Sequence, residues 1–223
     1  MKTTRKIMIG ILALALVFTF IGCGGDDGGG DGGSGSIGAN LTLSGQVYEM
    51  DESTGATTNY TGSDLEVNSN IGYKGKVEGG KFSFVAGKPT VMDSAAKLLE
   101  DLGADDMFSS VSCSPSDAQC IGLELSTNAG SLDKGEMSSS LTSMSGTIIS
   151  YVYVDRDCTV SGTGKTSYIE GIPITSSSFT LNLETGWNTI KMNVSVSILS
   201  MSGTVKVAGG DSSSCNWILN FSL

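Results

Sequence analysis

Apolar and polar residues alternate through much of the second half of the chain. Phe179, Leu181 and Leu183 take turns with Thr180, Asn182 and Glu184, and Ile190, Met192, Val194, Val196 and Ile198 with Thr189, Lys191, Asn193, Ser195 and Ser197. Cys215, Trp217, Leu219, Phe221 and Leu223 repeat the same period. Successive side chains of a strand point to opposite faces, so a period of two predicts antiparallel strands with one buried and one wet face. Residues 148–154 are apolar on both faces except at Ser150, which predicts a central strand covered on both sides.

The first half carries shorter runs of the same kind. Leu41, Leu43 and Val47 share one face of a candidate strand, a polar loop begins at Asp51, and Leu65 and Val67 alternate in a second strand. Val77 on one side and Phe82 with Phe84 on the other flank Gly79-Gly80, a dipeptide suited to a two-residue hairpin turn. One helix is predicted over residues 93–102. Asp93 or Ser94 would cap it, Ala95, Leu98, Leu99 and Leu102 have helical spacing, and Gly103 would end it. The expected architecture is therefore mainly β, an antiparallel β-sandwich or open barrel with one short helix packed over one end. It spans residues 40–223 as one domain or as two lobes, 40–90 and 118–223, joined by a helical segment 91–117.

The start of the chain follows a different pattern. Lys2, Arg5 and Lys6 precede residues 7–21, an apolar run broken only by Gly10 and Thr19. That is the plan of a secretory signal peptide. The run has about 15 residues where a helix crossing a bilayer needs about 20, so a cleaved signal over residues 1–22 is expected and a permanent span is not. The junction Phe20-Ile21-Gly22-Cys23 resembles the lipobox of bacterial lipoproteins. The resemblance implies that the Cys23 thiol takes a diacylglyceryl group, that the signal is cut before it, and that Cys23 becomes the first residue of the mature chain. Gly24, standing where an Asp would imply retention in the inner membrane, implies the outer membrane. Each buried CH₂ adds about 0.8 kcal/mol, so two or three acyl chains hold a protein stably on a bilayer. The expected location is thus the cell envelope, with the membrane reached through the lipid.

Residues 24–39 hold nine glycines and three aspartates, and their one large apolar residue is Ile37, too little to fold on its own. Cys23 and this stretch are expected to form a lipidated, flexible tether, with a root-mean-square span of roughly 20 to 24 Å for its 16 residues.

Two further likenesses bear on class. Gly45-Gln46-Val47 and Gly80-Lys81-Phe82-Ser83-Phe84 bound a unit that loosely resembles the transthyretin-like β-sandwich modules of exported bacterial proteins. Residues 151–160, with Phe179-Thr180-Leu181-Asn182-Leu183 and Gly186-Trp187-Asn188-Thr189, are similar to a pattern in uncharacterised β-rich bacterial lipoproteins. An outer-membrane β-barrel shares the period of two, but the chain has too few long strands and no aromatic girdles for one.

Charge and composition narrow the chemistry. Without Lys2, Arg5 and Lys6, 10 basic residues face 23 acidic ones, a net charge near −13. Such a surface repels nucleic acid and anionic headgroups, so no nucleic-acid partner is expected. The chain has no histidine. Ser-His-Asp and Cys-His nucleophile pairs, histidine-ligated metals and histidine bases are therefore closed to it. Neither a catalytic residue nor a cofactor is assigned.

Besides Cys23, an even set remains: Cys113, Cys120, Cys158 and Cys215. Three pairings are open. The favoured one joins Cys113 to Cys120 and Cys158 to Cys215, the second closing a loop that would stabilise the fold by about 4 kcal/mol. Four buried thiols are the alternative. Asp155 and Asp157, with Asp51 and Glu52 in a loop that could approach, are weak calcium candidates. Gly162-Thr163-Gly164-Lys165-Thr166 imitates the end of a phosphate-binding loop, but Thr159 stands where another glycine is needed, and a surface hairpin is expected instead. Trp217 lies on an apolar strand face and is expected in the core, whereas Trp187 follows a turn and is the candidate for a sugar-stacking platform. The expected role is a non-enzymatic binding or structural module whose partner is an unidentified envelope protein or glycan. The alternative is a carbohydrate-binding or carbohydrate-active accessory protein.

Overall fold

The computed structural model describes residues 35–50, 56–94, 107–140, 142–169, 171–210 and 215–219. The expected signal peptide, Cys23, residues 24–34, and Asp51 and Glu52 lie outside the described residues, as does the stretch 95–106 of the expected helix.

The described chain is mainly β. Its first part forms β1 (Gly35–Gly38), β2 (Leu41–Met50), β3 (Thr57–Asn59), β4 (Leu65–Ser69), β5 (Lys74–Glu78), β6 (Lys81–Ala86) and β7 (Asp93–Ser94). The middle forms β8 (Phe108–Ser114), β9 (Gln119–Gly122), β10 (Leu125–Thr127), β11 (Gly130–Ser139), β12 (Ser143–Val154) and β13 (Cys158–Gly164). The last part forms β14 (Thr166–Ile169), β15 (Ile172–Ser176), β16 (Phe179–Leu183), β17 (Gly186–Ser197), β18 (Ser202–Gly209) and β19 (Asn216–Leu219).

Seven of these close into a barrel. Its order is β10-β4-β5-β6-β2-β19-β11, and β11 pairs back onto β10. The period of two decides which side chains fill it: Leu41, Leu43, Val47, Leu65, Val67, Val77, Phe82 and Phe84 are all buried in one cluster. Their neighbours in the sequence point outward, where Lys74 pairs with Glu66 at 2.6 Å and Lys76 with Glu78 at 2.7 Å. Lys74 holds the Glu66 carboxyl below its usual range, first through the hydrogen bond and then through its charge. Apolar inside and charged outside is the reverse of a barrel that faces lipid. Among the described residues no helix is long and apolar enough to cross a membrane.

From β11 the sheet runs on as β12-β17-β18-β15-β14, and a second sheet, β16-β13-β8, packs against it. β12 is the hinge of the design. Ile149, Tyr151 and Tyr153 join the core that fills the barrel, while Ile148, Val152 and Val154 face the sandwich. The expected two-sided strand is thus what joins barrel to sandwich. The Gly79-Gly80 turn is also found, with φ of 55° and 76° at the two glycines, the positive values a tight hairpin requires.

Several expectations are corrected. Gly35, Ser36 and Gly38, expected in the tether, register against Thr189, Asn188 and Trp187 of β17. Asp93 and Ser94, expected to cap a helix, pair with Cys120 and Gln119, and Phe108–Ser114 of the expected helical segment is strand β8. The unit bounded by Gly45 and Phe84 is not a separate module, since its ring closes only through β10, β11 and β19.

Candidate functional site

A cleft of about 440 Å³ opens at one end of the small sheet. Ser114 of β8, Thr159 of β13 and Asn182 of β16 form one cross-strand row along it, fixed by the registers Thr159↔Ser114 and Thr159↔Asn182. Thr159 Oγ1 donates to Asn182 Oδ1 at 3.1 Å. Asp157 and Glu184 add two carboxylates, and Cys158 and Leu183 complete the wall.

The turn that carries Glu184 is built by a buried amide. Asn188 is fully buried, accepts from Glu184 N–H at 3.0 Å, and donates through Nδ2 to the carbonyls of Glu184 at 2.7 Å and Gly186 at 2.9 Å. Thr185, at the tip, donates from both its N–H and its hydroxyl to Asp157 Oδ1 at 2.7 Å. Those two bonds, the backbone one first, hold the Asp157 carboxyl below its ordinary range, so it is ionised at neutral pH.

Asp155 is drawn off elsewhere. Its Oδ1 accepts from Gln119 N–H at 2.8 Å, and its Oδ2 accepts from Arg156 Nε at 3.0 Å and Nη2 at 2.8 Å. Arg156 Nη1 reaches Asp117 at 2.8 Å. The guanidinium lowers the Asp155 pKa. The two calcium candidates therefore serve different partners, and among the described residues no group of three or more acids and cysteines is arranged to hold a metal ion.

The four cysteines are thiols in the structure. Cys120 and Cys158 sit in the sandwich core with Cys113 packed against it, whereas Cys215 lies in the barrel core. Neither expected disulfide, Cys113 to Cys120 or Cys158 to Cys215, is formed in the structure, and Cys158 and Cys215 belong to separate clusters. Burial pushes Cys158 up to about 12, so this thiol in the cleft wall is almost wholly protonated and a slow nucleophile at neutral pH.

Both tryptophans are core residues. Trp217 donates from Nε1 to Ser44 O at 3.1 Å and lies 4.4 Å from the Phe82 ring centroid. Trp187, expected at the surface, is fully buried; its Nε1 donates to Gly87 O at 3.1 Å and its ring meets Tyr153 edge-on at 5.5 Å. β1 pairs beside Trp187, whose ring enters the same core cluster as Tyr153. The phosphate-loop look-alike is the join of β13 to β14, with strand sequence after Lys165 where a helix would be needed.

Asn188, Thr185, Glu184 and Asn182 were not singled out from the sequence. The available signal was weak: a Leu-Glu-Thr-Gly-Trp-Asn turn whose polar side chains fold back on it. Comparison with known proteins gives no match, either to a family model, to a curated protein or to a solved structure.

Proposed function

We propose that the chain is an exported lipoprotein, held at the outer membrane through diacylglyceryl-modified Cys23, whose β-rich domain serves as a non-enzymatic binding or structural module of the cell envelope. The observation that carries this reading is the sequence Phe20-Ile21-Gly22-Cys23 at the end of a charged start and an apolar run. The charged exterior of the barrel supports it, because a domain with that surface must reach a membrane through an anchor rather than through its own faces. The test compares intact mass and detergent partition of the full chain, expressed with its own signal, with Cys23→Ala. A diacylglyceryl mass gain and membrane partition, both lost in the variant, are expected. A soluble, unacylated wild type would sink the reading.

A second reading, a glycan-binding accessory protein, draws on the cleft, whose carboxylates, amide and hydroxyls suit a hydroxyl-rich ligand. With Trp187 and Trp217 buried, that ligand would gain no tryptophan stacking from the described residues. Calorimetry with envelope glycans, on wild type and Asp157→Asn, decides it. Heat lost in the variant favours the reading, and no heat with wild type removes it.

A further inference from the structure

The sandwich core gathers three of the four cysteines into one cluster, Cys158 also lining the cleft, and two of the three, Cys113 and Cys158, stand on strands that are hydrogen-bonded neighbours. Cys113 of β8 registers against Val160 of β13. Cys158 stands two residues before Val160 and so projects from the same face, diagonal to Cys113, a relation that spans roughly 7–8 Å in an antiparallel pair. Each thiol bears on the other's ionisation. Cys113 Sγ also lies 3.5 Å from Pro115 O.

The geometry points to a disulfide between Cys113 and Cys158, formed by exchange with an acceptor disulfide, as a covalent lock that ties β8 to β13 beside the cleft. Bridging draws the two β-carbons to about 3.8 Å. β8 can make that movement because it is an edge strand, bonded in its sheet to β13 alone. Cys120 is the competing partner. It lies on β9 in the other sheet of the sandwich, so reaching it means crossing the packed core.

The chemistry has a natural order. Cys113 is half-buried and Cys158 is buried, so Cys113 meets the acceptor first. Its sulfur attacks one sulfur of the acceptor, breaking that S–S bond and releasing one thiol. Cys158 then attacks Cys113 in the mixed disulfide, forming the new S–S bond and releasing the second thiol. Two electrons pass from the protein to the acceptor, and the two cysteine protons end on the released thiols. Burial raises the thiol pKa of both residues, so exchange is slow at neutral pH and speeds up as pH rises.

The test uses the full chain, purified reduced and incubated with oxidised glutathione at pH 8.5. The remaining thiols are then alkylated, and the chain is cleaved before aspartates. A cut before Asp117 separates Cys113 from Cys120. The expected product is one cross-linked pair of peptides carrying Cys113 and Cys158, with Cys120 and Cys215 alkylated. In Cys158→Ser the expected product is glutathione trapped on Cys113. A link from Cys120 to Cys158, a link involving Cys215, or four alkylated cysteines after prolonged oxidation would overturn the proposal. None of these outcomes depends on acylation of Cys23, so failure here and failure of the lipoprotein reading can be told apart.

Discussion

Gly45 and Trp217 are fitted to each other. A Cβ placed on Gly45 would lie 2.8 Å from the indole Cδ1 and 3.1 Å from Nε1, while that same Nε1 donates to the carbonyl of Ser44. The indole also packs against Phe82 and Tyr151, which limits its room to shift. Gly45→Ala is expected to cost ~1–3 kcal/mol through overpacking, with an unchanged denaturant slope. Urea unfolding measures it, and a variant as stable as wild type would show that the ring has room to move.

Trp187 makes the opposite case, a side chain whose value is what it fills. Trp187→Ala removes a fully buried ring, the contact with Tyr153 and the donor to Gly87 O, and is expected to cost about 3–5 kcal/mol. The same unfolding experiment reads it. A variant of unchanged stability that had lost glycan affinity would restore the sugar-platform reading.

Asp133 gives the fold a pH signature. It registers against Ile218 on β11, and burial pushes its pKa to about 6, with the Glu124 charge adding to the rise and a hydrogen bond from Ser131 opposing it. The folded state then binds a proton that the unfolded chain gives up near pH 4. Stability from this group therefore falls as pH rises from about 4 to 6 and is level above that. Asp133→Asn is expected to be more stable than wild type at pH 7, by about 1–3 kcal/mol, with the difference vanishing toward pH 4. Thermal melts of both proteins across that range check it, and a constant difference would mean that Asp133 does not titrate there.

Calcium is expected to leave the melting temperature unchanged at millimolar concentration. Asp155 is held by Arg156 and Gln119, Asp157 by Thr185, and neither belongs to a group of three or more metal-binding side chains among the described residues. A saturable rise abolished by Asp157→Asn would overturn that expectation.

The strands were legible where one face is dry and the other wet. The alternations around Leu65, Phe82 and Phe179 match the burial found, and the one around Ile190 matches in part, since Thr189 is buried and Val194 only half so. β8 and β11 were not legible, because FSSVSCS and GSLDKGEMSS owe their strand state to neighbours rather than to their own composition. Trp187 was misjudged for a related reason. Its indole is held by the Gly87 carbonyl, 100 positions earlier, and no local window contains both. The cleft was half legible: Asp157 stood out as an acid, while Asn182 and Glu184 looked like the wet face of an ordinary strand.

The place of β19 has a consequence for timing. This strand lies between β2, to which it runs parallel, and β11, and without it the barrel ring stays open. Ser44 and Trp217 are 173 positions apart. At about 5–20 residues per second of synthesis, roughly 9–35 s separate their emergence from the ribosome. During that interval Phe82, Val47 and the other barrel side chains have no finished core to enter. A barrel built this way cannot close until β19 has been made, and an unclosed chain is the state in which a polypeptide can be threaded through a narrow channel.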